Sequence, residues 1–491
     1  INVQGKNTIL QAGRAITASR DLSVVQLLQQ QFKHRPSAVA IRDQNESLSY
    51  QQLEQKVYHL ATLIKQKTSS GQAVGLLLPQ GVYQPIGMLA ALFAGVTYVP
   101  LAPDYPMSRL QYMLNDSGAV TLATVTEYEQ LATELCSENQ AILLIDSSIT
   151  ETLLPDSLPT EIDQDSSAYI LYTSGSSGRP KGVTQTYRNL KIHALNYIAG
   201  LNLQPTDRLT LLPSFSFDAA LMDIYGAFFS GASLFVYDVK NNGLDELSDW
   251  IRANRLTIFH STPTIFRFFE DTLGNEEVLD SLRFVVLGGE EVVLEDLVKF
   301  KQHTVDNAVF VNGYGPTEST LCLQYYFHHQ DKLPDNRVPV GFAVAETDVV
   351  LVDEENAQIA DLGVGQIAIK SNQVATGYHN QPEMTVKHFV ETSDYSKKRI
   401  YLSGDLGRRR FDGAIEHLGR IDHQVKIRGF RVETAEIEAH IRQFSGIKQV
   451  TVCIQNVQAI GPVLTAYIVA ETNSVDESEL REHLLENLPD Y

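Results

Sequence analysis

Short runs of apolar residues at 74–78, 169–172 and 284–287 are separated by stretches in which apolar and polar positions repeat at helical spacing. Apolar runs of this length suit strands covered on both faces, and their alternation with amphipathic helices predicts α/β layers. Between 123 and 167 acidic and small polar residues take over, which predicts surface connections ahead of the next buried strand. The texture changes near Asp422. There Thr434 is the predicted N-cap of a helix carrying Ile437 and Ile441 four positions apart, and 450–454 and 463–469 read as strands. The pattern therefore predicts a large α/β domain over residues 1–421 and a small α+β domain over 422–491.

Composition narrows the class. The 491 residues are too many for one ordinary core, and 43% hydrophobic with 20% charged is a globular balance. A formal net charge of −20, from 39 basic and 59 acidic residues, argues against nucleic acid as the main partner but leaves room for one small anion in a local site. Cys136, Cys322 and Cys453 are odd in number and far apart, so neither a disulfide framework nor a zinc site follows, and a cytoplasmic setting is expected. No apolar run is long enough to span a bilayer, so no membrane partner is expected.

The stretch Thr173-Ser174-Gly175-Ser176-Ser177-Gly178-Arg179-Pro180-Lys181-Gly182 leaves the end of a predicted buried strand. Its hydroxyls and glycines let the backbone approach an anion closely, and Lys181 adds a charge that can reach a phosphate. On composition alone a Gly/Ser surface turn is the favoured reading, and the spacing does not fit a P-loop. It does resemble the TSG[TS]TGxPKG signature of the adenylate-forming superfamily, with Ser177 in place of Thr.

Four further segments follow the same family in the same order. Residues 92–106 resemble a segment of peptide-synthetase adenylation domains, and Asn312-Gly313-Tyr314-Gly315-Pro316-Thr317-Glu318 resembles NxYGPTE. Tyr401-Leu402-Ser403-Gly404-Asp405-Leu406 is similar to YxTGDL, and Gly419 to Gly429 to GRxDxQVKIRG. The resemblance, to the adenylation domains of non-ribosomal peptide synthetases, covers roughly 48–491. It implies a large adenylate-forming domain of layered sheets and helices with a small mobile α+β domain behind it. It also implies ATP and Mg²⁺ as cofactors, an α-amino acid as substrate, and a peptidyl carrier protein with its phosphopantetheine arm as partner.

The resemblance assigns roles residue by residue. Thr173, Ser174, Gly175, Ser176, Ser177 and Gly178 form the phosphate loop, with Gly289, Glu290 and Gly315 also at the nucleotide. Lys181 and Thr317 meet phosphate, and Glu318 is the Mg²⁺ carboxylate. Tyr314 stacks on adenine with Asn312 at its edge, and Asp405 accepts from the ribose hydroxyls beside Arg420. Singly, each reads as an ordinary turn, core or ion-pair residue; the ordered set carries the assignment.

Asp218, in Phe217-Asp218-Ala219-Ala220, matches the carboxylate that pairs with a substrate α-ammonium; read alone it is a helix N-cap. The remaining pocket positions carried over are Ala219, Met222, His260, Val286, Gly288, Gly313, Leu321 and Cys322. Mostly apolar, with two glycines, they imply a medium or large, mainly apolar side chain, and wall packing is favoured over a polar contact for His260. Asp422 matches the hinge, and Lys426 the catalytic loop that faces the pantetheine arm. The chain closes at Tyr491, inside the family's LPxYM motif, so the lysine normally found beyond it is missing and impaired adenylation is expected. An acyl- or aryl-CoA ligase would carry a neutral or basic residue at Asp218. A non-catalytic nucleotide-binding module would form no adenylate at any length.

Overall fold

Every residue of the strands Ala73–Leu77 and Thr97–Leu101 is buried, as expected where an apolar run has helices on both sides. They lie at the middle of a seven-stranded sheet ordered Gly377–Tyr378, Lys181–Thr186, Ser167–Thr173, Thr97–Leu101, Ala73–Leu77, Ala119–Thr124, Ala141–Leu144. The computed structural model describes residues 21–145, 161–175, 179–360, 362–391, 398–422, 424–427, 430–457, 461–470 and 475–490. The last five strands of this sheet run parallel, whereas Lys181–Thr186 returns antiparallel beside Ser167–Thr173. That register sets Lys181 directly opposite Thr173.

A second sheet has nine strands. Its centre, Val309–Tyr314, Phe284–Gly288, Ile258–Ser261, Arg208–Leu211 and Ser233–Val236, is parallel throughout. Register pairs His260 with Val286 and Gly288 with Gly313, so these four share one face. One apolar core packs that face, through the helices Val24–His34, Tyr50–Lys67, Tyr83–Ala94, Tyr187–Leu201 and Asp218–Ser230, against the seven-stranded sheet. The outer faces of both sheets carry separate cores. Ser23 and Ser49 start their helices with reciprocal capping boxes to Gln26 and Gln52, and Gly95 and Gly231 end theirs at positive φ.

A third sheet, built on Thr347–Val352, Val364–Ser371 and the long strand Arg399–Arg409, brings Asp405 to the edge of the second. Beyond Asp422 come the hairpin Gln424–Ile427/Phe430–Glu433, the helix Thr434–Gln443, the hairpin Ile447–Val457/Gly461–Ala470 and the helix Glu477–Asn487. Ile441, Val450, Val452 and Leu480 form a small core of their own there. The architecture is the mixed α/β layering expected. Among the described residues no helix is long and apolar enough to cross a membrane.

Two local expectations need correction. The stretch 123–167 is not merely connecting chain: the helix Glu129–Leu135 and the edge strand Ala141–Leu144 extend the seven-stranded sheet. The strand is itself a short apolar run, Ala-Ile-Leu-Leu, set at a sheet edge among the acidic and polar residues that dominate the stretch. Thr434 is the first helical residue rather than the cap. Glu433 holds the cap position but makes no capping bond, because its carboxylate accepts from Gln424 and faces Lys181.

Candidate active site

The hairpin that places Lys181 against Thr173 opens onto a cleft. Its other walls come from Ser216–Asp218, Gly289, Gly315–Thr317, Asp405, Arg420, Gln424–Lys426 and Arg431. Lys181 is buried, with its ammonium 4.9 Å from the centre of the Tyr378 ring and 3.8 Å from Glu318 Oε1. Burial first, and then the neighbouring Arg431 charge, hold its pKa down at about 8, against the opposing pull of Glu318 and Glu433.

Glu318 is wholly buried on the turn after Tyr314. Ser319 N–H and Thr320 N–H donate back to Pro316 O, and Ala375 N–H donates to Glu318 O. The turn is tight enough that a Cβ on Gly315 would meet Thr320 O at 1.8 Å. Tyr378 OH donates to Glu318 Oε1 at 2.7 Å, and Arg431 Nη1 donates to both carboxylate oxygens, at 3.0 and 2.8 Å. Burial alone would raise the Glu318 pKa; Arg431, Lys181 and the Tyr378 hydroxyl outweigh it and hold the carboxyl far below its usual range.

Asp405 forms a second anionic corner. It accepts from Tyr314 OH at 2.5 Å and Arg420 Nη1 at 2.6 Å, with His417 Nε2 3.3 Å away. Its burial opposes ionisation, but His417, Arg420 and Lys426 more than compensate, and its pKa is lowered. Arg420 also grips Asp422 through Nε and Nη2, at 2.7 Å each.

Asp218 begins the helix Asp218–Ser230 with Phe217 at the cap position and no side-chain cap bond, so capping does not account for the carboxylate. Burial raises its pKa, with Lys426 and a Thr317 hydrogen bond opposing. Lys426 is lowered by burial and feels both Asp405 and Asp218. The hairpin carrying Lys426 and Arg431 packs Phe430 edge-on against Phe217, and Ser174 Oγ donates to Arg431 O at 2.6 Å.

Ala219 and Met222 follow Asp218 on its helix, above the sheet face that bears His260, Val286, Gly288 and Gly313. Leu321 closes on Gly313: a Cβ there would lie 3.3 Å from Leu321 Cδ1. Cys322 Sγ donates to Tyr314 O and so braces the turn. His260 is also held by a polar contact inside the protein, its Nδ1 lying 2.8 Å from Asp223 Oδ2.

Not every expected residue lines the cleft. Asn312 Nδ2 donates to Pro339 O in the interior, and Glu290 Oε2 accepts from Thr264 N–H at the start of the helix Pro263–Glu270. Ser176, Ser177 and Gly178 lie outside the described residues, as does Tyr491. Sequence reading missed Arg431, Tyr378, His417 and Asp223. For Arg431 there was a signal. In Phe430–Glu433 two charges alternate with two apolar residues, placing Arg431 and Glu433 on one face of a strand.

Two cleft hydroxyls, Thr173 Oγ1 and Ser216 Oγ, are buried and have no hydrogen-bond partner among the described residues. Buried polar atoms are ordinarily paired, which sets these two apart within the cleft wall.

Known proteins share the sequence pattern and the fold. The family described as AMP-binding enzyme matches residues 28–379. The chain is 33% identical over 475 residues to bacitracin synthase 3 of Bacillus licheniformis, covering 96% of this chain and 7% of that protein. It is 31% identical over 475 residues to tyrocidine synthase 1 of Brevibacillus parabrevis, covering 96% and 42%. It thus spans less than half the length of either synthase. Among solved structures, NpsA-ThdA, an artificially fused adenylation–PCP di-domain NRPS from Klebsiella oxytoca, superposes with a TM-score of 0.84 at 24% identity, covering 95% of this chain and 91% of that one. The o-succinylbenzoate CoA synthetase MenE of Bacillus subtilis superposes at 0.82 with 20% identity, covering 95% and 92%. At those identities the two structures establish a shared fold. With the family's pattern running through more than two thirds of its length, this chain belongs to the AMP-binding enzyme family.

Proposed function

We propose that this chain activates an α-amino acid with ATP as an aminoacyl-AMP and passes the aminoacyl group to the phosphopantetheine thiol of a carrier protein. The observation that carries the reading is the meeting of Asp218, Asp405, Lys426 and Arg431 around one cleft, with Lys181 and Glu318 paired behind Arg431 and two cleft hydroxyls without partners among the described residues.

Bringing a carboxylate to the α-phosphate sets two anions together, so the barrier is mainly electrostatic. Lys181, opposite Thr173, is set to offset that charge, with Thr173, Ser174, Gly175 and Thr317 as phosphate donors. Asp405, already oriented by Tyr314 and Arg420, is set to accept from ribose hydroxyls, with Gly289 and Gly315 lining the nucleotide's path. Among the described residues no group of three His, Cys, Asp or Glu side chains could hold a metal by itself. Glu318, a single buried carboxylate, suits an Mg²⁺ that takes its other oxygens from phosphate, where it would neutralise phosphate charge.

Asp218 is set to pair with the substrate's α-ammonium, which distinguishes amino acids from plain carboxylic acids. The pocket from Ala219 to Cys322 favours a medium or large, mainly apolar side chain. The division at Asp422 into domains 1–421 and 422–491 would let the hairpin with Lys426 and Arg431 withdraw when nucleotide enters and return for the transfer.

Amino-acid-dependent exchange of pyrophosphate into ATP, measured on a chain extended past Tyr491 to restore the motif and the lysine beyond it, tests the reading. Exchange is expected with a subset of amino acids, lost with their des-amino analogues, and lost selectively in Asp218→Ala. Equal exchange with des-amino acids would remove the role given to Asp218. Exchange with no carboxylic acid at all, while ATP still binds, would leave a nucleotide-binding module instead.

A further inference from the structure

Beneath the side-chain pocket lies a buried polar chain that none of the roles above uses. Asp223, one residue past Met222, has no solvent exposure, and among the described residues no Lys or Arg is paired with either oxygen. Oδ1 accepts from Tyr197 OH at 2.8 Å, and Oδ2 meets His260 Nδ1 at 2.8 Å. Tyr197 reaches it because Gly226 stands next along the helix, where a Cβ would lie 2.7 Å from the Tyr197 ring. Tyr197 and His260 themselves sit ring to ring at 6.1 Å.

This arrangement settles one proton. Asp223 is an acceptor, so Nδ1 of His260 carries hydrogen and, in the neutral ring, Nε2 is left with its lone pair. His260 is 2% exposed, and its Nε2 makes no hydrogen bond to any described residue. A buried histidine whose one nitrogen is so firmly held presents the other as a fixed acceptor. The ring shares the sheet face with Val286, Gly288 and Gly313, and Val286, Met222 and Leu321 belong to the apolar core on that side.

We infer that His260 Nε2 is the acceptor for a hydroxyl at the far end of the substrate side chain. The substrate is then an α-amino acid with an apolar body and a terminal hydroxyl, as in a phenol, rather than a plain hydrocarbon side chain. The inference rests on the amino-acid reading above and sharpens it. Asp223 and Tyr197 are positioning residues: they act through the ring and touch no substrate. A site that pairs a buried acceptor with a hydroxyl discriminates strongly against the analogue lacking it, because the acceptor is then left unpaired.

The test is binding of aminoacyl sulfamoyl-adenosines in matched pairs, tyrosine against phenylalanine and 5-hydroxynorvaline against norvaline, by calorimetry. At least one hydroxylated member is expected to bind roughly tenfold or more tightly than its partner. His260→Leu should erase or invert that preference with ATP affinity unchanged. Asp223→Asn should weaken it, and Tyr197→Phe should weaken it less, which a merely structural role would not do selectively. Equal binding within both pairs, or a preference that survives His260→Leu, overturns the inference and leaves amino-acid activation standing. If no conjugate binds better than sulfamoyl-adenosine itself, the amino-acid reading fails too, and the two failures are thereby told apart.

Discussion

Replacing Arg431 with Ala removes two charged hydrogen bonds to Glu318, at 2.8 and 3.0 Å, from a pair whose side chains are 14% and 0% exposed. Solvent screening is therefore slight, and such bonds are worth about 1.5–3 kcal/mol. The full penalty for orphaning a buried charge does not apply, since Lys181 and the Tyr378 hydroxyl remain beside Glu318. If Glu318 is to face a metal–nucleotide complex, Arg431 must first let go of it, and the wild-type chain bears that cost on every binding event. In Arg431→Ala the cost is gone. The hairpin itself stays anchored, because Ser174 donates to the main-chain oxygen of residue 431. Affinity for Mg·ATP is then expected to rise by about tenfold or more, a change of about 1.4 kcal/mol per decade. Arg431→Lys, which keeps the charge and loses the fork, should fall between. Calorimetric titration with Mg·ATP at fixed ionic strength measures this directly. Weaker binding in Arg431→Ala would show that Arg431 serves the bound nucleotide instead of competing with it, and would refute the reasoning.

Three further outcomes follow from the geometry. Gly315→Ala forces a methyl to within 1.8 Å of Thr320 O, so the turn carrying Thr317 and Glu318 must move; ATP affinity should drop while far-ultraviolet circular dichroism stays unchanged. Arg109→Ala leaves Glu436 without its partner in a pair 4% and 6% exposed that ties the helix Met107–Asp116 to Thr434–Gln443. Loss of such a partner costs about 3–5 kcal/mol, read by urea unfolding at pH 7.5, and the cost should shrink as pH falls, because burial raises the Glu436 pKa and its carboxylate takes up a proton sooner than an exposed one. Glu270 is raised to about 8 by burial, so between 4.5 and that value the folded chain binds more protons than the unfolded one, and its stability falls as pH rises. Glu270→Gln should accordingly be more stable than wild type at pH 8 and nearly equal to it at pH 5; a constant difference would contradict this.

What the sequence disclosed was mainly local. The run 74–78 announces a strand covered on both faces because burial on two sides demands unbroken apolar residues, and the strand found is Ala73–Leu77. The order of the motifs disclosed which segments meet. It did not disclose how they are held. Arg431 and Glu318 are 113 residues apart, and nothing near either one names the other. Asp223 reads as one polar position on an otherwise apolar helix until its register over His260 is known. Thr434 looks like a cap only while Glu433 is taken as solvated, and its actual engagement with Gln424 and Lys181 is a tertiary fact. Propensity and periodicity act over a few residues, whereas pairings of buried charge depend on which strands become neighbours.

The paired glycines Gly288 and Gly313 differ in what they would tolerate. A methyl on Gly288 would lie 2.9 Å from Gly313 O, which is main chain and fixed by the sheet. One on Gly313 would lie 3.3 Å from the end of the Leu321 side chain, which can turn aside. If these glycines floor the side-chain pocket proposed above, mutational change in substrate range has one open route there. Depth can be shortened step by step at 313 with Leu321 adjusting, while 288 stays closed to variation. A library built at 313 and 321 together should recover active variants with smaller substrates far more often than one built at 288.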